Sequence, residues 1–158
     1  MFKKIFLFLI IYPIFFSKSL ANDKIIANDN NNQIKIYNWQ VLRVLDGDTL
    51  EIKNEFLPEE LKLFVRIKGI DTPEKSFRAK CLKEKKLAQK ATDFTTKLIN
   101  EAIANKQNID FSEIKWDKYG GRIVAKVKIG NKIIGDELIK NGLAKPYFGE
   151  KKSSWCVL

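Results

Sequence analysis

Residues 61–74, LKLFVRIKGIDTPE, connect a strand pattern to a group of polar residues, and this stretch decides the fold prediction. Apolar residues occupy every second position of its first half: Leu61, Leu63, Val65 and Ile67. A period of two predicts a strand with one buried face, so Arg66 points to the opposite face. Beyond Gly69, the residues Asp71, Thr72 and Glu74 are expected to lie where the strand ends.

Two strands are predicted before this stretch and a long helix after it. Residues 34–45 and 49–53 alternate roughly between apolar and polar side chains around the turn signal Asp46-Gly47, which predicts a hairpin. From about Phe77 to Ala104 the apolar residues recur three or four positions apart. That spacing predicts an amphipathic helix.

The second half of the chain predicts three more strands and a short helix. Residues 108–116 and 122–129 have strand patterns on either side of a glycine-containing turn. A helix over about 135–140 is expected to end at Asn141-Gly142, and residues 143–147 could add a short strand. The chain is therefore predicted to be mainly β with helices (α+β): a five-stranded barrel of the oligonucleotide/oligosaccharide-binding (OB) type, with one long and one or two short packed helices. A split sheet with two helices is the alternative.

The first 21 residues have the pattern of a secretory signal peptide. Lys3 and Lys4 precede an apolar run over residues 5–16, and Ser19-Leu20-Ala21 supplies small residues for cleavage. The run is shorter than the roughly 18 to 20 residues of a membrane-spanning helix, although an uncleaved anchor is the alternative. We expect an exported protein, periplasmic or extracellular, with no stable membrane association after cleavage. Residues 22–33, rich in Asn and Asp, are expected to form a flexible leader before a single domain over 34–158.

The charge of the chain favours anionic partners. The formal net charge is +10, and because three lysines lie within residues 1–21, cleavage would leave +7. A basic exported protein favours polyanions such as nucleic acid, or an anionic surface. No long apolar surface stripe demands a partner chain, so we expect a monomer.

The two cysteines, Cys81 and Cys156, are expected to form one disulfide, because the signal pattern directs the chain to an oxidising compartment. On the chain-entropy model such a bridge contributes roughly 3 to 5 kcal/mol and fixes the C-terminus to the domain. Two independent thiols are the alternative.

The chain contains no histidine. This excludes serine-hydrolase triads, paired-histidine ribonucleases and most zinc sites, all of which use an imidazole. A base that works near neutral pH must then be a carboxylate, a lysine or metal-bound water.

Two aspartates are candidate metal ligands. Asp48 follows a turn glycine and Asp71 follows a strand that ends at Gly69, so both can project into one cleft. Two carboxylates completed by waters and a backbone carbonyl suit Ca²⁺ or Mg²⁺, with a weak affinity of roughly 10⁻⁴ to 10⁻³ M. Alternatively, Asp46-Gly47 is only a hairpin turn and Asp71 only caps a loop.

Three further charged residues are candidates for phosphate chemistry. The planar guanidinium groups of Arg66 and Arg122 can each bind two phosphate oxygens, although either arginine could instead form a surface ion pair. Glu74 could accept a proton from attacking water, or serve only as an acidic residue at a helix N-terminus.

Taken together, three segments resemble the staphylococcal nuclease (thermonuclease) family: Asp46–Thr49, Arg66–Glu74 and Asp117–Arg122 followed by an alternating strand. The resemblance covers about residues 40–148 in matching order and includes Gly142-Leu143-Ala144 after the last helix. Each motif is weak alone, but three in order are jointly specific.

The resemblance implies a Ca²⁺-dependent phosphodiesterase on an OB barrel, acting on DNA and RNA with little sequence preference, within residues 34–158. It implies that Asp48 and Asp71 bind calcium through carboxylates and Thr72 through its backbone carbonyl. It also implies that Arg66 and Arg122 bind phosphate and that Glu74 acts as general base or orients water.

The same resemblance implies secondary substrate contacts and shows two departures. Lys118 and Tyr119 match positions near the nucleotide's phosphate. The additional glycine before Arg122 shifts this arginine by one position and requires a different turn. Tyr147 and Phe148 lie where the family has base-stacking aromatic residues, but packing residues are an equal interpretation.

Two other classes of function compete with an enzyme. An OB module could bind nucleic acid without cutting it, and a basic domain could use only its charge to bind an anionic surface or a partner. Carboxylates in the groove favour the enzyme, because they would weaken simple binding of a polyanion.

Overall fold

The computed structural model describes residues 24–26, 34–53, 55, 57, 58 and 60–156. The predicted signal peptide, residues 1–21, lies outside the described residues. Within the expected flexible leader, strand β1 (Lys24–Ile26) pairs antiparallel with β2 (Ile34–Ile36). The flexible leader over residues 22–33 stays a prediction, and apart from residues 24–26 it lies outside the described part of the chain.

Ten strands, two α-helices and one 3-10 helix make up the described fold. The remaining strands are β3 (Val41–Asp46), β4 (Thr49–Ile52), β5 (Leu63–Ile67), β6 (Ile70–Asp71), β7 (Ile109–Trp116), β8 (Arg122–Ile129), β9 (Lys132–Ile133) and β10 (Lys145–Pro146). The helices are the 3-10 helix Ser76–Arg78, α1 (Leu82–Ala104) and α2 (Ile134–Lys140).

The main sheet has the strand order β3-β4-β5-β8-β7, with β9 paired to β8. β5 and β8 run parallel, and all other pairs in the sheet are antiparallel. Between residues 34 and 156 the edge strands β3 and β7 do not pair, and a single bridge between Tyr37 and Phe111 connects the chain just before β3 to β7. The α+β prediction is confirmed, but the sheet is not closed into a continuous barrel.

The alternation that predicted β5 agrees with the observed burial. Leu63, Val65 and Ile67 are buried in the core, and Arg66 faces the other side. Leu61 is 58% exposed because the strand begins two residues later than predicted.

Helix α1 begins at Leu82 rather than near Phe77. Ser76 has a left-handed backbone conformation, with a φ of 54°, and opens the short 3-10 helix instead. Cys81 caps α1 through its sulfur, which accepts a hydrogen bond from the Glu84 amide. None of the helices in the described part of the chain is long and apolar enough to span a bilayer.

Candidate active site

One cleft of about 840 Å³ brings the three sequence motifs together. Its lining includes most of the predicted site residues: Asp48, Arg66, Thr72, Glu74, Lys118, Tyr119 and Arg122. These side chains come from the β3–β4 turn, β5, the segment after β6 and the β7–β8 turn, so distant parts of the sequence meet at one place.

The β3–β4 turn is packed against α1 and holds Asp48 in place. A Cβ atom added at Gly47 would lie 2.7 Å from the Ala91 Cβ and 2.9 Å from the Thr72 Cγ2, so only glycine fits without a shift. The buried Thr95 hydroxyl donates a hydrogen bond of 2.8 Å to the Gly47 carbonyl. A helix therefore fixes the turn that carries the carboxylate.

Arg66 binds Asp48 with both terminal nitrogens. Nη1 lies 3.0 Å from Oδ1 and Nη2 lies 3.0 Å from Oδ2, the two-point geometry that favours arginine over lysine. Nη2 also donates to the Ile70 carbonyl at 3.3 Å. Only 17% of the Arg66 side chain and 4% of the Asp48 side chain are exposed, so the pair is largely desolvated.

Burial raises the pKa of Asp48 to about 7, although the Arg66 guanidinium acts in the opposite direction. The nearby Asp46 carboxylate also raises this pKa, and a hydrogen bond from the Thr72 amide lowers it. The positive charge of Arg66 therefore does not fully compensate the cost of burying the ionised Asp48.

Asp71 is buried beside Arg66, behind the cleft, and its neighbours Ile70 and Thr72 line the cleft itself. Its Oδ1 lies 3.6 Å from the Arg66 Nη2 and 2.7 Å from the Lys152 Nζ, and its Oδ2 accepts a hydrogen bond of 3.3 Å from the Trp155 indole. Although close to two cations, the buried Oδ1 receives no well-aligned hydrogen bond from the described residues. This oxygen is thus paired by charge with the Lys152 ammonium, without a well-aligned hydrogen bond.

Asp48 and Asp71 fit a hard divalent cation. The same Arg66 nitrogen, Nη2, lies 3.0 Å from Asp48 and 3.6 Å from Asp71, so both carboxylates converge on one region. Two buried carboxylates supply hard oxygen ligands, which suit Ca²⁺ or Mg²⁺ rather than soft metals. The Thr72 amide donates to Asp48 at 3.2 Å, and the predicted ligand role of its carbonyl stays a prediction.

Glu74 lies on the rim of the cleft, two residues before the 3-10 helix Ser76–Arg78. Its carboxylate forms ion pairs with the Lys152 Nζ at 3.0 Å and the Arg78 Nε at 3.3 Å. Its backbone amide donates to the buried Glu84 carboxylate at 3.3 Å, which links this segment to α1. The placement allows a proton-accepting role, which stays a prediction.

The β7–β8 turn brings Arg122 to the cleft despite the additional glycine. Gly121 has a φ of 73°, which glycine adopts without strain, and Arg122 then starts β8 opposite Phe64 of β5. The Arg122 Nε binds Asp117 at 2.6 Å, and the guanidinium lies 5.0 Å from the centre of the Tyr119 ring. The roles of Arg122, Lys118 and Tyr119 toward a substrate stay predictions.

Four aromatic residues also line the cleft: Trp116, Tyr119, Tyr147 and Phe148. Phe148 is 82% exposed and Trp116 is 75% exposed, so neither is a core residue. The exposure of Phe148 is inconsistent with core packing, and its contact with a base stays a prediction beside packing at the rim.

The predicted disulfide between Cys81 and Cys156 is present. It fixes the segment 149–156, which we call the C-terminal strap, beside the start of α1. The sequence analysis gave no role to Lys152 and Trp155 of this strap. The only signal for them was the cysteine pair, which brings the end of the chain close to the segment that carries Glu74.

Comparison with known proteins identifies one family and several relatives. The sequence profile described as "Staphylococcal nuclease homologue" matches residues 64–155. The chain is 29% identical over 111 residues to "Thermonuclease" of Staphylococcus hyicus, covering 70% of this chain and 59% of that protein.

Two further relatives have similar identities. "Thermonuclease" of Staphylococcus intermedius is 28% identical over 130 residues, covering 82% of this chain and 71% of that protein. "Endonuclease YncB" of Bacillus subtilis strain 168 is 30% identical over 117 residues, covering 73% and 51%. The chain thus spans between about half and about three quarters of the length of these relatives.

Proposed function

The chain belongs to the staphylococcal nuclease homologue family, and from this premise we propose that its cleft hydrolyses the phosphodiester bonds of nucleic acids with the help of Ca²⁺. We propose that both DNA and RNA are substrates, cut with little sequence preference. The observation that carries the proposal is the convergence of Asp48 and Asp71 on Arg66, next to a cleft that is also lined by Glu74 and Arg122.

Asp48 and Asp71 would hold the ion, together with the backbone carbonyl of Thr72. A bound divalent cation would supply Lewis-acid polarisation of the phosphate and stabilise negative charge that develops there. The raised pKa of Asp48 supports this assignment, because a buried, undercompensated carboxylate gains most from an added positive charge.

Arg66 and Arg122 would bind the phosphate oxygens from two sides of the cleft. Both guanidinium groups are partly buried and oriented by carboxylates, Arg66 by Asp48 and Arg122 by Asp117. Preorganised donors of this kind stabilise charge in a transition state at little cost in reorganisation. Lys118 and Tyr119, on the same turn as Arg122, would contact the neighbouring part of the nucleotide.

Glu74 would accept a proton from the attacking water or orient that water. The chain has no histidine, and Glu74 is a carboxylate that lines the cleft and is about one third exposed, so water can reach it. A general base must lie within hydrogen-bond reach of the water it activates, which a position on the rim permits.

We further propose that the protein is exported to a periplasm or to the medium. The disulfide supports this proposal, because such bonds persist mainly in oxidising compartments. The signal pattern of residues 1–21 supports it independently.

The test combines cleavage with binding. Labelled single-stranded DNA and RNA are incubated with the protein in Ca²⁺ and then in a chelator, and the products are resolved on denaturing and native gels. We expect fragments only in Ca²⁺, and loss of fragmentation in Glu74→Gln while binding persists. The matched control is Glu101→Gln, which changes an exposed glutamate of α1 outside the cleft.

Each other outcome rejects either the enzyme or its metal requirement. Retention of the strands without fragments in Ca²⁺ would indicate a nucleic-acid-binding module. Neither retention nor cleavage would indicate a domain that uses its positive charge for another anionic partner. Cleavage that persists unchanged in a chelator would contradict the metal requirement.

A further inference from the structure

The C-terminal strap, residues 149–156, places a lysine at the two carboxylates assigned to the reaction. The Lys152 Nζ lies 2.7 Å from the Asp71 Oδ1 and 3.0 Å from the Glu74 Oε1. No other ammonium group among the described residues forms ion pairs with both carboxylates. Lys152 therefore joins the candidate metal ligand to the candidate base.

Several contacts fix the strap in this position. The disulfide joins Cys156 to Cys81 at the start of α1, and the Trp155 indole donates to the Asp71 Oδ2 at 3.3 Å. Lys145 donates to the Ser154 carbonyl at 2.7 Å and lies 4.4 Å from the centre of the Trp155 ring. Lys152 is thus presented to Asp71 by a covalently anchored segment rather than by a free chain end.

Charge explains why a cation belongs there. The Asp71 side chain is only 5% exposed, and a buried carboxylate without a counter-ion is costly. Arg66 binds Asp48 at two points and lies farther from Asp71, at 3.6 Å. Lys152 is the nearest positive charge to the oxygen that receives no well-aligned hydrogen bond.

We propose that Lys152 is an internal cation of this site: it neutralises Asp71 and Glu74 when no divalent ion is bound, and a divalent ion must displace it to reach Asp71. This inference rests on the metal site of the proposed function. An ammonium group and a divalent cation cannot both lie close to the same oxygen without repulsion. Binding of the ion is therefore coupled to movement of Lys152 away from the carboxylates.

The strap limits how far the displaced side chain can go. Three residues lie between Lys152 and the anchored Cys156, and the four backbone steps at about 3.3 to 3.6 Å each give a reach of at most about 14 Å. Lys152 also lines the cleft, 5.9 Å from the Tyr147 ring. The displaced ammonium therefore stays tethered, through Cys156, to the side of the domain that carries the start of α1.

The test is a calcium titration of three proteins by isothermal titration calorimetry, without nucleic acid. They are the wild type, Lys152→Gln and the matched control Lys151→Gln. Lys151 is exposed, precedes Lys152 directly, and forms no ion pair with the described residues, so its substitution changes the net charge equally. We expect Lys152→Gln to bind Ca²⁺ at least about fivefold more tightly, a coupling of ordinary size, and Lys151→Gln to stay within about twofold of the wild type. Lys152→Arg, which keeps the charge, should also resemble the wild type.

Unfolding in urea supplies a second readout that needs no activity. In a chelator, Lys152→Gln should unfold at lower urea than Lys151→Gln, because it leaves Asp71 without its nearest cation. Saturating Ca²⁺ should remove that difference, since the ion then compensates the carboxylate and stabilises the folded state.

The failures are distinguishable. Equal or weaker calcium binding by Lys152→Gln would overturn the competition and leave the proposed metal site intact. No calcium binding by any of the three proteins would contradict the proposed metal site itself and remove the competition with it.

Discussion

Replacement of Arg66 by lysine perturbs the side chain that connects the two candidate metal ligands. The guanidinium binds Asp48 at two points, 3.0 Å each, and contacts the Ile70 carbonyl at 3.3 Å and Asp71 at 3.6 Å. Lysine keeps the charge but provides a single point of contact. The substitution therefore removes the two-point contact with Asp48 and keeps the positive charge.

The expected magnitudes follow from these contacts. The loss of one charge-assisted hydrogen bond to the buried Asp48 should lower the free energy of unfolding by about 1.5 to 3 kcal/mol. The loss of one preorganised contact to the phosphate should cost about 2.7 to 4 kcal/mol in the transition state, a decrease in turnover of about 10²- to 10³-fold.

The assay measures kcat and KM on a labelled single-stranded oligonucleotide in saturating Ca²⁺, alongside urea unfolding of the same preparation. The matched control is Arg43→Lys, since Arg43 pairs with Glu51, has 58% of its side chain exposed and does not line the cleft. We expect that control to stay within about twofold of the wild-type turnover, as for a substitution outside the site. A folded Arg66→Lys protein with turnover within threefold of the wild type would refute the phosphate-binding role of Arg66.

Three further substitutions test the scaffold around the cleft. Gly47→Ala should lower the free energy of unfolding by about 1 to 3 kcal/mol and also reduce turnover, because the new methyl group would lie 2.7 Å from a side chain of α1 and displace the turn. Unchanged urea unfolding would contradict this packing. The double substitution Cys81→Ser and Cys156→Ser opens a loop of sequence separation 75 and should lower the free energy of unfolding by about 3 to 5 kcal/mol. A decrease below about 1 kcal/mol in urea unfolding would contradict the stabilising role of the disulfide. A hydrogen bond from Lys68 lowers the pKa of Glu113 below 4.5. An NMR titration of this carboxyl should therefore show a depressed midpoint, and the midpoint should rise in Lys68→Gln. An identical midpoint in both proteins would show that the ion pair is absent in solution.

Local patterns predicted the parts of the site that depend on a single strand or turn. The period-two alternation of β5 placed Arg66 opposite the core side chains, because successive side chains of a strand point to opposite faces. The Asp46-Gly47 signal likewise predicted the turn that carries Asp48. Both inferences need only neighbouring residues.

Contacts between segments distant in sequence could not be predicted from these local patterns. The parallel pairing of β5 with β8 sets Arg122 opposite Phe64, and no residue of either strand encodes that register by itself. The start of α1 was placed five residues too early, because residues 76–78 form a separate 3-10 helix and the extended Cys81 caps α1 just before Leu82.

The contribution of the C-terminal strap was also hidden. In a chain with many lysines, Lys152 has no distinguishing pattern, and only its ion pairs with Asp71 and Glu74 identify it. The cysteine pair predicted that the chain end would be anchored, but not which side chains the anchor would bring to the cleft.

The central claim is that a divalent ion binds between Asp48 and Asp71, and long-wavelength anomalous diffraction from crystals grown in millimolar Ca²⁺ tests it most directly. The account predicts one calcium peak in the cleft, with carboxylate oxygens of both residues about 2.3 to 2.6 Å away. A protein that cleaves DNA under the same conditions, but whose calcium peak lies elsewhere or is missing, would contradict the account.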